Sequence, residues 1–271
     1  MIPTISQATT MASAFEADLD AFARAGWSSI ELWLTKLETF VEAHGAAEAR
    51  RRLEDAGLSP IAAAAQGGLL GDAPGPHADQ YDRRLDLLAS LGVPTLVIVP
   101  DLLGPPDGAS IGRAIDGLSD AAARAASRGV RLALEPRRAA CLGASLDTVA
   151  AIVAQVGAPN LGICLDVFHY YTGPSKFEDI GHLGPANLFH VQLCDVAGTP
   201  RELAGDSDRV LPGDGDFALV PWLAQLARQG YEGPVSLEVL NPNLWAVPAD
   251  RVAEIGLQAL ERVLAAAREG R

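Results

Sequence analysis

The chain has 271 residues, 49% of them apolar and 20% charged, enough to bury a large core and too apolar for disorder to be its main state. Lysine and arginine number 21 against 34 aspartate and glutamate, a net charge of −13. Such a field repels phosphate backbones and anionic lipid, so nucleic acid and membrane surfaces are excluded as partners on charge. The three cysteines, Cys141, Cys164 and Cys194, lack Cys-x-x-Cys spacing, which argues against a disulfide framework and against a cysteine-rich zinc site. No apolar run nears the roughly 18 residues of a membrane span. Residues 1–15 carry no basic segment followed by an unbroken apolar one, and the sequence therefore predicts a cytoplasmic protein without a signal peptide.

In chain order, short runs of consecutive aliphatic residues predict strands at 3–6, 29–34, 60–65, 94–99, 130–134, 161–165, 188–193 and 235–240. Unbroken apolarity is the mark of parallel strands covered on both faces. Helical spacing fills the intervals. Phe15, Leu19, Phe22 and Ala23 share one face, and 81–91 and 252–264 repeat the pattern. Gly26, Gly57, Gly92, Gly129, Gly157 and Gly230 each stand between a helical stretch and the next strand, where a left-handed helix end favours glycine. Eight strand–helix units in a chain of this length predict an α/β fold, a (β/α)8 TIM barrel, for which about 250 residues is typical, with 1–271 as a single domain. A doubly wound sheet would show a glycine-rich turn after the first strand. Gln7-Ala8-Thr9-Thr10 stands there instead. The longest irregular stretch, 194–216, follows the seventh strand, and loops of that length are usually functional.

Barrel active sites occupy the C-terminal ends of the strands. Strands five to eight deliver Glu135, Asp166, His190 and Glu238, each amid apolar neighbours. Any one alone has an ordinary reading: a salt-bridged glutamate, an aspartate capping a turn, a core histidine. Converging buried carboxylates, however, demand a cation. Three carboxylates and an imidazole suit a hard divalent ion, Mn²⁺ or Mg²⁺ first, with Co²⁺ and Zn²⁺ also fitting. Trp33, ending strand two, reads as a sugar-stacking aromatic or a rim residue. Gln66, in Ala65-Gln66-Gly67-Gly68, reads as a hydrogen-bonder to a polyol. Gln192 shares the alternation that points His190 inward. Asp195 reads as a residue that turns the chain. Arg137 and Arg138 read as ligand-orienting or surface-paired, and Trp245 as bordering the pocket or a subunit contact. His44, His77 and His182 read as surface residues.

The succession Leu134-Glu135-Pro136, Leu165-Asp166-x-x-His169, His190-x-Gln192-x-x-Asp195, Arg209-x-x-Pro212-Gly213-x-Gly215 and Ser236-Leu237-Glu238, with Glu31-Leu32-Trp33 on strand two, resembles the xylose-isomerase-like barrel superfamily of sugar isomerases and epimerases. The resemblance implies one divalent metal on Glu135, Asp166, His190 and Glu238, with Glu135 and Glu238 doubling as the acid/base pair. It implies that His169 and Arg209 contact substrate oxygens. The implied activity is isomerisation or epimerisation of a small keto-sugar or keto-polyol through an enediolate. The alternative is a lyase on the same constellation, of the inosose or dehydroshikimate dehydratase type or eliminating a 3-keto-glycoside. The superfamily's nucleases need a zinc cluster rich in histidine, and this chain has 5 histidines and the wrong charge for DNA. The loop around Arg209 carries four acids between Asp206 and Asp216, which favours a neutral cyclitol or sugar ketone over a phosphorylated one. A homo-oligomer is compatible with this reading.

Overall fold

A computed structural model describes residues 1–67, 69–70, 76–102 and 104–269; Gly68 and the side chain of His77 lie outside the described residues. The barrel strands are β1 (Ile2–Ser6), β2 (Ser29–Trp33), β3 (Ser59–Gln66), β4 (Thr95–Ile98), β5 (Arg131–Leu134), β6 (Leu161–Asp166) and β7 (Leu188–Leu193). A small antiparallel ribbon follows, β8 (Asp195–Val196) with β9 (Arg209–Val210), and β10 (Pro234–Leu237) completes the barrel. The strand order β1-β10-β7-β6-β5-β4-β3-β2 closes on itself. All eight predicted barrel strands are present within a residue or a few of the expected bounds. The ribbon inside 194–216 is the element that apolar runs do not announce, because each of its strands has two residues.

The chain divides into two compact units, Met1–Ile61 with Val191–Arg271, and Ala62–His190. In the first, β10 pairs in parallel with β1 (Thr4 opposite Ser236, Ile5 opposite Leu237) and with β7 (Ser236 opposite Gln192). Ser6 stands opposite Glu31 on β2. The period of two separates Val235, Leu237 and Val239 from Ser236 and Glu238. The first set packs outward. The helix Ala249–Glu269 buries Val252, Ala253, Gly256, Leu260, Val263 and Leu264 along one face. A Cβ on Gly256 would come within 2.5 Å of Leu237 Cδ2, so this glycine lets the helix press on the strand that ends in Glu238. Trp27 Nε1 donates to the helix at Ala253 O, 3.0 Å.

In the second unit, β4, β5 and β6 align Ile98, Leu134 and Ile163, and Glu135 N extends the ladder to Ile98 O at 2.9 Å. Helices start where side chains replace missing backbone partners. Asp107 and Ser110 exchange a capping box before Gly108–Ala126, and Ser145 Oγ accepts from Thr148 N before Leu146–Val156. Gly157, with φ of 65°, ends the latter helix in the left-handed conformation the sequence predicted there. No helix among the described residues is long and apolar enough to cross a membrane.

Candidate functional site

Two groups of buried polar side chains stand at strand ends. The first lies in the Ala62–His190 unit. Glu135 is 5% exposed, on the residue that prolongs β5, and Pro136 behind it keeps the chain extended. Asp166 ends β6 and is 1% exposed. Its two oxygens divide the labour. Oδ1 accepts from Phe168 N at 2.7 Å, capping the short helix Val167–Thr172, while Oδ2 lies 3.8 Å from His169 Nε2. The cap and the ligand readings of Asp166 are thus compatible. The helix starts immediately after the strand, so one turn brings His169 back over the strand end, where Nε2 is 3.4 Å from Glu135 Oε1. Glu135, Asp166 and His169 each offer an atom within 4.8 Å of the others. His190 is fully buried on β7.

Gln66 is fully buried at the end of β3, its carbonyl accepting from Arg84 Nη1 at 2.8 Å and its amide facing Gly67 O. Arg138 stacks over Phe168, 5.7 Å from its ring centroid, and Arg137 N closes a turn onto Gly143 O at 3.0 Å. Both arginines are half-buried, and His44 and His182 are exposed.

The second group lies in the other unit. Glu238 is 4% exposed, and its backbone N donates to Leu193 O on β7 at 3.0 Å. Its carboxylate accepts twice, from Gln192 Nε2 at 3.0 Å and from Arg209 Nη1 at 3.2 Å. Gln192 Nε2 also donates to Glu31 Oε1 at 2.8 Å. One amide therefore bridges two carboxylates, which fixes its flip, since only the NH₂ end can donate. Arg209 is 1% exposed and also meets Asp206 Oδ1 through Nη2 at 2.9 Å and Cys194 Sγ through Nη1 at 3.8 Å. Asn241 Nδ2 holds Arg209 O at 2.8 Å. Trp33 is half-buried, with its backbone N bonded to Gln7 Oε1 at 3.1 Å. Trp245 reaches Ala8 O at 3.0 Å through Nε1.

Two residues carry more than the sequence suggested. Glu31, fully buried, is predicted only as part of the Glu31-Leu32-Trp33 triplet. The signal that could have singled it out is close to the one used for Glu135, a carboxylate amid the apolar Ile30 and Leu32, here in the middle of β2. Asp195 does more than turn the chain. Its carboxylate accepts from Val196 N (2.9 Å), Gly213 N (3.1 Å) and Phe217 N (2.9 Å), closing the base of the loop that carries Arg209. Burial raises its pKa, against those backbone donors, which lower it. A Cβ on Gly215 would overlap Asp195 Oδ1 and Val196 O. Gly215→Ala is therefore expected to open the loop, at a cost of about 1–3 kcal/mol. Limited proteolysis within 197–208 reads this as faster cleavage than in the parent protein, and equal rates would refute it.

The family model of the xylose isomerase-like TIM barrel matches residues 19–263. A 3-dehydroshikimate dehydratase of Pseudomonas aeruginosa is 31% identical over 195 residues, 69% of this chain and 30% of that protein; the chain thus spans less than a third of that relative's length. An inosose isomerase of Bacillus velezensis is 25% identical over 270 residues, 96% of this chain and 95% of that one. Among solved structures, the IOLI protein with a bound zinc atom superposes with a TM-score of 0.90 at 22% identity, over 98% of each chain. The closed parallel barrel and the match across both units lead to one conclusion: the chain belongs to the xylose isomerase-like TIM-barrel family.

Proposed function

We propose that residues 1–271 work as one barrel domain that isomerises or epimerises a neutral keto-polyol, with a cyclitol ketone such as an inosose as the substrate class, by proton transfer next to the carbonyl in the presence of one divalent metal ion. The observation that carries this reading is the buried Glu135, Asp166 and His169 cluster, with donor atoms within 4.8 Å of one another. Two neighbouring carboxylates withdrawn from water call for a divalent cation, with the His169 imidazole beside them. Glu135, Asp166, His190 and Glu238 would hold that ion, and His169 would face a substrate oxygen. Bound there, the metal supplies Lewis acidity that stabilises negative charge on a carbonyl oxygen.

The protein's own groups do the proton work. Glu135 and Glu238, one from each of the two groups of polar side chains, act as the acid/base pair, removing a proton from carbon and returning one. Trp33, Gln66 and Gln192 join His169 and Arg209 as the groups that receive the substrate or orient those that do. Arg209 spends its donors on Glu238 and Asp206, so its charge is already compensated, and this favours a neutral ketone over one carrying a carboxylate or phosphate.

The likeness to a dehydratase supports a second reading, loss of a β-hydroxyl from the same intermediate. Incubation with an inosose, and separately with 3-dehydroshikimate, in heavy water with Mn²⁺, Mg²⁺, Co²⁺ or Zn²⁺ separates the two. Deuterium at the α-carbon with the hydroxyls retained is the expected result. A new alkene proton would move the assignment to the dehydratase. No exchange with any of the four ions would overturn both.

A further inference from the structure

The 3-10 turn Gln7–Thr10 after β1 is buried throughout, with Gln7, Ala8 and Thr9 fully inaccessible. A turn with no glycine and four buried residues needs partners for every polar group. Gln7 Nε2 donates to Asp18 Oδ2 at 3.0 Å and its Oε1 accepts from Trp33 N. Ala8 N reaches Ser6 Oγ at 3.3 Å, and Ala8 O receives Trp245 Nε1. Thr10 Oγ1 donates to Asp18 Oδ1 at 2.8 Å. Lys36 Nζ then ties Gln7 O (3.2 Å), Thr10 O (2.7 Å) and Asp18 Oδ2 (2.7 Å) together.

Thr9 is the member of the turn whose side chain reaches the other way. Its hydroxyl donates to Leu237 O at 2.9 Å and accepts from Val239 N at 3.1 Å. Those are the backbone groups on either side of Glu238. The β1–β10 ladder runs to Ile5 opposite Leu237. Beyond it β1 has turned away, and the last stretch of the β10 segment would face no strand on that side. The threonine hydroxyl, donor and acceptor at once, substitutes for the missing residue of β1. On the other flank Glu238 N is held by Leu193 O.

We propose that Thr9 is a positioning residue for Glu238. It locks the Glu238 peptide between the turn and β7, so that the carboxylate arrives already aimed. The catalytic part of this proposal rests on the assignment of Glu238 as acid/base; the backbone clamp does not.

The test compares Thr9→Val, nearly isosteric but without the hydroxyl, with Thr9→Ser, which keeps it. Amide hydrogen exchange of Glu238 and Val239 is read without substrate or metal. In Thr9→Val these two amides are expected to exchange about tenfold faster or more, because Val239 N loses its buried acceptor and Leu237 O its donor, and Thr9→Ser is expected to restore protection. With an accepted keto-polyol, kcat for α-proton exchange should fall by about tenfold in Thr9→Val at nearly constant KM, again recovering in the serine variant. Unchanged protection in Thr9→Val, or a serine variant as exposed as the valine, overturns the clamp. Altered protection with an unchanged kcat overturns its catalytic part. A parent protein that exchanges no substrate proton defeats the isomerase assignment, and the amide measurement still decides the clamp.

Discussion

Glu238→Gln is expected to lower the rate of α-proton exchange on the accepted keto-polyol by about 10²–10⁴-fold, the usual contribution of a positioned acid or base. The carboxylate takes one hydrogen bond on each side, from Gln192 and from Arg209. An amide can accept on one side only, so its NH₂ must oppose either the Gln192 amide or the guanidinium. The variant loses the base and also leaves a buried donor unsatisfied, a penalty of about 1–3 kcal/mol. The chemical and structural parts separate by experiment. Deuterium incorporation followed by NMR should collapse in kcat, while thermal unfolding shifts by only several degrees, as about 2 kcal/mol implies for a chain of this size. Exchange within threefold of the parent would remove Glu238 from the proton path.

The sequence made the barrel legible because each strand is an unbroken apolar run and each helix an amphipathic one, signals that tertiary packing reinforces rather than overrides. Glu135, Asp166 and Glu238 were legible for the opposite reason, as charges placed where the pattern requires apolar residues. The bridge from Gln192 to Glu31 was not. It joins positions 161 residues apart and exists only because barrel closure sets the register. Asp195 and Phe217 meet across a loop whose two-residue strands carry no periodicity. Thr9 lay in the turn that the sequence marked only by its lack of glycine. His169 shows how local geometry adds what spacing cannot: three residues after Asp166 is one helical turn, and the helix begins at once, so the imidazole returns to Glu135.

Asp18→Asn should be the most damaging single change away from the strand ends, costing roughly 3–5 kcal/mol, the range for breaking one half of a buried ion pair, or about 10 °C in unfolding midpoint. Lys36 and Asp18 side chains are 9% and 0% exposed, 2.7 Å apart. Burial is the largest influence on both. It raises the Asp18 pKa above 3.8 and lowers that of Lys36 below 10.5, with their mutual attraction opposing each shift. Two ions held against their solvation preference are a costly way to gain stability; what they secure is the Gln7–Thr10 turn, and through it Thr9. In the asparagine variant the attraction is gone while the burial of Lys36 remains, so its folded-state pKa drops further below 10.5. The unfolded chain then binds more protons than the folded one over that interval, and stability must rise with pH towards 10.5. Thermal melts of Asp18→Asn at rising alkaline pH are therefore expected to close part of the gap to the parent protein. A second variant, Asp18→Leu with Lys36→Met, removes both charges. It removes the unpaired charge but leaves Gln7 Nε2, Thr10 Oγ1, Gln7 O and Thr10 O without their partners, so it should regain only part of the lost stability and exchange the Glu238 and Val239 amides faster than the parent. Stability recovered together with full amide protection would show that the pair does not reach Glu238 through the turn.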